Sequence, residues 1–282
     1  MLIDTHCHLT YDELRPQVDA VLQRARDACV SHCITVGTTP ADAVRALALA
    51  AGQRGVFVAA GVHPHHAAEV SDADIAQLAD LHAGRREAAD SDVPIVAVGE
   101  AGLDFHYDFA PPDVQERVFR AQLRLACETG RPVIIHARQA ELRVCEVLSD
   151  FPDLRGRAVF HCFSGDSELA SRILDAGHWI SFTGVATFRN GEGVRSAARL
   201  CPADRIMVET DAPFLSPEPV RKIRPCEPAF VAHTARRIAE ERGSGYEQFC
   251  ELTTANAVRF FGLPIGIGGR SSIGRSEPGI TA

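Results

Sequence analysis

The tripeptide His6-Cys7-His8 places two imidazoles two residues apart, directly after Leu2-Ile3-Asp4-Thr5. On an extended strand residues i and i+2 point to the same side. Both rings then share one face while Cys7 turns to the other. Two imidazoles on one face suit zinc or another divalent transition metal, although H-x-H by itself is more often incidental. Glu100 ends the run Ile95-Val96-Ala97-Val98-Gly99. A carboxylate closing a buried apolar strand must be hydrogen-bonded, paired or metal-bound. The chain has one lysine, Lys222, so a carbamylated-lysine bridge has a single candidate. Glu100 is therefore the sensible bridging ligand if two metals are present; the plainer alternative is a carboxylate paired with arginine. Asp104, in Gly102-Leu103-Asp104, either lines the site or braces its loop.

His136 closes Pro132-Val133-Ile134-Ile135 and His161 closes Ala158-Val159-Phe160. One histidine after an apolar run is ordinarily a core or loop residue. Two at equivalent ends of consecutive runs, together with H-x-H, describe a ligand set. Asp211 ends Ile206-Met207-Val208-Glu209-Thr210 and offers both a ligand and a base. A divalent metal lowers the pKa of a water it holds to about 7, and a nearby carboxylate can take the proton. Asp211 and Glu100 are thus the catalytic candidates. Glu209, two residues before Asp211, is expected to orient a ligand or an arginine.

These residues need a frame that brings distant segments together. Short apolar runs at 2–4, 33–36, 56–60, 95–98, 133–135, 158–160, 179–182 and 206–208 predict eight strands. Amphipathic stretches at about 12–30, 40–53, 72–89, 113–129, 139–149, 166–176, 191–201, 227–242 and 246–261 predict helices. In 113–129, Val114, Val118, Ala121 and Leu125 repeat at helical spacing, and Asp113 with Glu116 three residues on reads as a capping box. Eightfold alternation of strand and helix predicts an α/β fold, a single (β/α)8 TIM-like barrel, with an open doubly wound sheet as the alternative. The polar residues decide: they fall at C-terminal strand ends, which a barrel opens onto one face. The barrel is expected over 1–265. The Gly- and Ser-rich stretch 266–282 reads as a flexible tail.

Of 282 residues, 46% are apolar, which rules out disorder as the main state. No apolar run reaches the ~18 residues of a membrane helix, and no basic-then-apolar leader opens the chain. A cytoplasmic protein without a membrane or an obligate protein partner is expected. The nine scattered cysteines form no C-x-x-C and read as reduced packing residues.

Five segments carry a resemblance. They are Ile3-Asp4-Thr5-His6-Cys7-His8, Gly61-Val62-His63-Pro64, Gly99-Glu100-Ala101-Gly102-Leu103-Asp104, His161-Cys162-Phe163-Ser164-Gly165 and Glu209-Thr210-Asp211-Ala212-Pro213-Phe214-Leu215. In this order, within residues 2 to about 262, they resemble the TatD family, metal-dependent deoxyribonucleases of the amidohydrolase superfamily. The resemblance implies a TIM-like barrel with two divalent ions, of which Mg, Mn and Zn are the candidates. It implies His6, His8, Glu100 and Asp211 around the first, and Glu100, His136 and His161 around the second, with Glu100 bridging. His63 matches a position that touches substrate phosphate, and Asp211 matches the general base. One departure is plain: Arg224-Pro225-Cys226-Glu227-Pro228 has cysteine where the family usually has asparagine, so any contact of that amide is lost.

A net charge of −8 lacks the basic footprint of a duplex-tracking protein. Bound cations would supply positive charge locally, and Arg221, Lys222 and Arg224 form a small basic cluster, with Arg224 the candidate substrate contact. That balance favours an exonuclease on single strands or frayed ends over a groove-tracking enzyme, and the resemblance implies a DNA phosphodiesterase working 3′-5′; the sequence does not separate DNA from RNA. Phe105, His106, Tyr107 and Phe109 offer stacking faces or loop packing. The alternative on the same barrel is an ester or amide hydrolase such as a D-aminoacyl-tRNA deacylase. A non-catalytic scaffold would lack at least one ligand, and none is missing.

Overall fold

A computed structural model of the chain describes residues 1–85 and 93–265. The strands are β1 (Leu2–Cys7), β2 (Val30–Gly37), β3 (Val56–Ala60), β4 (Ile95–Asp104), β5 (Val133–Arg138), β6 (Ala158–Phe160), β7 (Trp179–Phe182) and β8 (Ile206–Val208). The helices are α1 (Val18–Asp27), α2 (Pro40–Ala51), α3 (Asp72–His82), α4 (Pro112–Thr129), α5 (Glu141–Ser149), α6 (Ser167–Asp175), α7 (Glu192–Leu200), α8 (Val231–Glu241) and α9 (Tyr246–Phe261). The strands pair in sequence order, every pair parallel. Beyond the end of β8 the ring draws shut: Ala212 bridges Cys7, and the His8 amide donates to the Ala212 carbonyl at 2.7 Å. This is the expected barrel. The tail expected over 266–282 lies outside the described residues, and the helix expected over 72–89 ends at His82, seven residues short, with only 86–89 of that span outside them. Among the described residues no helix is long and apolar enough to cross a membrane.

Alternation along the strands divides the core in two. Leu2, Cys7, Val30, Val58, Val98, Val133 and Phe160 pack outward against the helices. Ile3, Ile34, Val36, Phe57, Val96, Ile134, Val159, Trp179 and Met207 form an inner cluster with Ala257, Phe260 and Phe261 of α9. Helix α9 therefore plugs the N-terminal end of the barrel. Its Asn256 amide donates to the Ile206 carbonyl at 2.9 Å at the start of β8. The C-terminal mouth is left for the site.

Two departures from alternation matter. Asp4 pairs with Cys33 and Cys7 with Thr35, so between them two residues of β1, Thr5 and His6, face one of β2, Ile34. Such a bulge reverses which residues face inward. Ile3 points inward, so strict alternation would send Thr5 and Cys7 to the mouth; the extra residue sends His6 and His8 instead. Strand β4 slips in the same way between Val98 and Ala101, beside Glu100.

Helix α4 starts differently from its sequence signature. Pro112 takes the first turn, Pro111 precedes it, and no side chain caps the end. A proline at N1 has no N–H to satisfy. Glu116 instead accepts from Arg120 at 2.9 Å and from Arg143 at 2.9 Å.

Gly102 lies opposite His136 in the β4–β5 register, at φ 155°. A Cβ there would overlap the His136 carbonyl oxygen. Gly102→Ala is expected to destabilise the barrel by about 3 kcal/mol, from backbone strain plus overpacking. A thermal melt should show a loss of roughly 5–10 °C. A change under 2 °C would show that β4 relaxes freely.

Candidate metal centre

Strand ends scattered along the chain meet in one pit. His6 Nε2 lies 3.2 Å from His8 Nε2, 3.3 Å from Glu100 Oε2 and 3.8 Å from Asp211 Oδ1. His8 Nε2 is 3.5 Å from Asp211 Oδ1. A second group surrounds the other Glu100 oxygen: Oε1 is 2.6 Å from His161 Nε2, 2.8 Å from His136 Nδ1 and 3.5 Å from His63 Nε2. Glu100 thus gives one oxygen to each group.

The donor chemistry fits metal ions. Ligand atoms about 2.1 Å from one tetrahedral cation stand roughly 3.4 Å apart, which matches the first group. The ring nitrogens face one another, so their lone pairs need protons or cations between them. Among the described residues no arginine or lysine pairs with Glu100 or Asp211; all their ion-pair partners are imidazoles. His6, His161 and Asp211 likewise converge closely enough to share an ion, as do Glu100, His136 and His161.

The far side of most rings is tied down, which fixes the nitrogen left facing the pit. His8 Nδ1 contacts the Val36 carbonyl at 3.2 Å. His136 Nε2 contacts Asp104 Oδ2 at 3.1 Å. His161 Nδ1 faces Glu209 Oε1 at 3.3 Å, an oxygen that also accepts the Cys162 amide at 2.5 Å. Glu209 therefore lies beside a histidine and not an arginine. His6 Nδ1 has no partner; that ring lies flat on His161 at 4.0 Å.

Asp104 is held by its own loop and by two rings. Its Oδ1 accepts the His106 and Tyr107 amides at 2.9 and 3.0 Å. Its Oδ2 meets His65 Nε2 at 2.8 Å as well as His136. Burial alone would raise its carboxyl, but the His136 and His65 hydrogen bonds hold it far below its ordinary value. The same contest recurs at Glu100: burial pushes up, and the imidazoles of His161, His63 and His6 pull it well down. At Asp211 burial is again outweighed, by the His8 hydrogen bond and by His6 and His161. His63 goes the other way, because burial lowers it to about 3. Its Nδ1 accepts the His65 amide at 3.1 Å, so the neutral ring carries its proton on Nε2, towards Glu100.

Several contributors gave no sequence signal of their own. Asp4, pushed up to about 8 by burial, accepts the Thr210 amide at 2.8 Å and its hydroxyl at 2.6 Å. That contact pins the turn carrying Asp211. Two glutamines of α4 brace neighbouring segments. Gln115 Oε1 accepts the Asp104 amide at 2.8 Å, and Gln122 bonds both the amide and carbonyl of Val62. Helical spacing places Gln115 and Gln122 on one face of α4, two turns apart, yet nothing in sequence says what they hold. Above the pit opens a cavity of about 540 Å³, lined among others by Tyr11, His65, Tyr107, Arg138, Cys162 and Phe214. His63 lines it too. Arg224 does not: it lies with Arg221 and Lys222 along a separate surface depression. Cys226 is fully buried, and all nine cysteines are free.

A parallel eight-stranded barrel with histidines and carboxylates gathered at its C-terminal mouth defines the chain as a metal-dependent hydrolase of the TIM-barrel class. The model of the TatD-related DNase family matches residues 3–262. The chain belongs to that family. It is 34% identical over 261 residues to the metal-dependent hydrolase YabD of Bacillus subtilis, covering 93% of this chain and 99% of that protein. It is 36% identical over 264 residues to the 3′-5′ ssDNA/RNA exonuclease TatD of Cronobacter sakazakii, covering 92% and 97%. The crystal structure of YjjV, a TatD homolog from Escherichia coli K12, superposes with a TM-score of 0.85 at 29% identity, covering 93% of this chain and 98% of that one.

Proposed function

We propose that this enzyme hydrolyses phosphodiester bonds of DNA, removing nucleotides 3′-5′ from single-stranded or frayed ends, with two divalent cations at the strand-end pit. The observation that carries the reading is the split of Glu100 between two donor groups, Oε2 beside His6 and Oε1 beside His136 and His161. The relatives named as 3′-5′ ssDNA/RNA exonucleases support the substrate class, and RNA shares the same bond. The ester and amide alternative draws nothing from the relatives reported above. His6, His8, Glu100 and Asp211 would hold one cation, and Glu100, His136 and His161 the other. Mg, Mn and Zn all remain compatible with such a donor set. When bound, the cations polarise a phosphoryl oxygen and acidify water.

The chain's own groups supply the rest. Asp211 is ionised at neutral pH and its side chain is 15% exposed, against 3% for Glu100. It is the carboxylate that cavity water reaches, and hence the general base. Glu100 is the shared ligand, and its charge holds both groups together. His63 points an Nε2 proton into the cavity and can donate it to a phosphoryl oxygen. Glu209 and Asp104 hold His161 and His136 in the tautomers that face the pit. Arg224, outside the cavity, is positioned to meet a strand only beyond the reacting nucleotide.

The test is a 5′-labelled single-stranded oligonucleotide incubated with the purified chain and Mg, Mn or Zn. A ladder shortening from the 3′ end, abolished by a chelator, is expected. An intact strand under every metal would refute the assignment, and rapid cleavage of a D-aminoacyl ester in parallel would replace it.

A further inference from the structure

The mouth of the pit carries aromatic rings on two opposite sides. In an eight-stranded ring, the loop after β4 lies across the axis from β8 and β1. On the β4 side Tyr107 is 42% and Phe109 60% exposed. Their ring centroids are 5.6 Å apart, and Phe109 rests on His65 at 4.5 Å. The Arg138 guanidinium sits 4.8 Å above the Tyr107 ring. On the far side Phe214, three residues past Asp211, is 47% exposed. It meets Tyr11 edge-on at 6.0 Å, and Tyr11 in turn stacks on His8 at 4.8 Å. Tyr107, Arg138, Tyr11 and Phe214 line the same cavity as Glu100 and Asp211.

Exposed aromatic faces cost solvation unless something flat covers them. Loop packing leaves Phe109 and Phe214 the most open of these rings, at 60% and 47% exposed. The edges of the cavity are thus apolar and planar, while its floor, with cations held there, would draw in anionic phosphate. A nucleic-acid strand alternates those same two chemistries, with a base on either side of each phosphate.

We propose that Phe109 with Tyr107, and Phe214 with Tyr11, are two base-stacking subsites that hold the unpaired bases on either side of the scissile phosphate. This rests on the phosphodiesterase reading and narrows it. Stacking on two opposed faces requires the bases to be splayed apart and unpaired, so the ligand recognised is an unpaired terminal dinucleotide. Recognition is tolerant of base identity, because every base has a π-face. Arg138 adds a cation over the Tyr107 ring and lies towards the strand's phosphates.

The experiment is a double-mutant cycle between enzyme and substrate. Phe109→Ala and Phe214→Ala are each compared with the unaltered chain on a single-stranded oligonucleotide. The substrate carries normal bases, an abasic terminal residue, or an abasic penultimate residue. Both side chains are exposed, so melting temperatures should not change. Each substitution should lower kcat/KM on the normal strand about tenfold, and Phe109→Trp should restore it. Each variant should then be indifferent to removal of one particular base, a different base for each variant. Substitution and abasic effects that simply multiply for both bases would overturn the subsites while leaving the nuclease assignment intact. Failure of the unaltered chain to cleave any strand with metal present would overturn both.

Discussion

Asp211→Asn should lower kcat on a single-stranded oligonucleotide by about 10³-fold while leaving the barrel folded. Asparagine keeps the size of the side chain and one carbonyl oxygen, but it cannot take a proton at neutral pH. General-base contributions of this kind are commonly 10²–10⁴-fold. The turn that carries the residue should survive, because it is held from elsewhere. Asp4 grips Thr210, and the Asp211 amide donates to the His6 carbonyl at 2.9 Å. Single-turnover kinetics beside metal analysis by mass spectrometry would separate the roles. A deep loss of rate with metal content near that of the unaltered chain supports the base. A loss below tenfold would move the base elsewhere, and metal loss in proportion to rate would make Asp211 a ligand alone.

Glu100→Gln is expected to empty the site. The carboxylate is buried among five imidazoles, with one oxygen in each donor group. An amide of the same shape offers one acceptor and two N–H donors. It cannot bridge, and it returns no charge to offset the cations. Activity should fall by about 10³-fold or more, and metal content should fall from about two ions per chain to fewer than one. Stability gives an independent reading. A ligand that binds the folded state at ~100 times its Kd adds about 2.7 kcal/mol. Saturating Mn should therefore raise the melting temperature of the unaltered chain by several degrees and leave Glu100→Gln unmoved. Without metal the variant should be less stable at neutral pH, because the imidazoles that hold the Glu100 carboxyl well down lose their charged partner. A metal-induced rise of equal size in both proteins would deny Glu100 its bridging role.

The overall charge of −8 is compatible with a phosphodiester substrate. Long-range attraction to a duplex needs a broad basic face. A reaction at a strand end needs only a local one, which Arg138 at the cavity and cations held by the proposed ligands would supply. Arg221 is already engaged, its guanidinium 3.6 Å over the Phe188 ring. The cluster read from sequence as Arg221, Lys222 and Arg224 is thus partly a packing device.

Strand ends were legible because the barrel imposes a rule on the chain. Apolar strands end in polar residues only where the mouth opens, so His6, His8, Glu100, His136, His161 and Asp211 could be picked without coordinates. Periodicity predicts, though not to the residue, the eight strands and nine helices found among the described residues, because each must bury one face and that demand is written locally. The capping box at Asp113 was misread for the same local reason: the pattern is present, but Glu116 found arginines on its own helix and the next.

What only the tertiary structure decided is register and company. The bulge in β1 that turns His6 and His8 inward has no mark in sequence, because register depends on how β1 lies against β2. Which groups Asp104 meets depended on the folded loop, and four donors reach it. Glu209 found His161 and Asp4 found Thr210 across about two hundred residues of chain or fewer. Residue types state what a side chain can do. Strand pairing and packing determine which of those things it does, because hydrogen bonds and charges act over a few ångströms in space and take no account of distance along the chain.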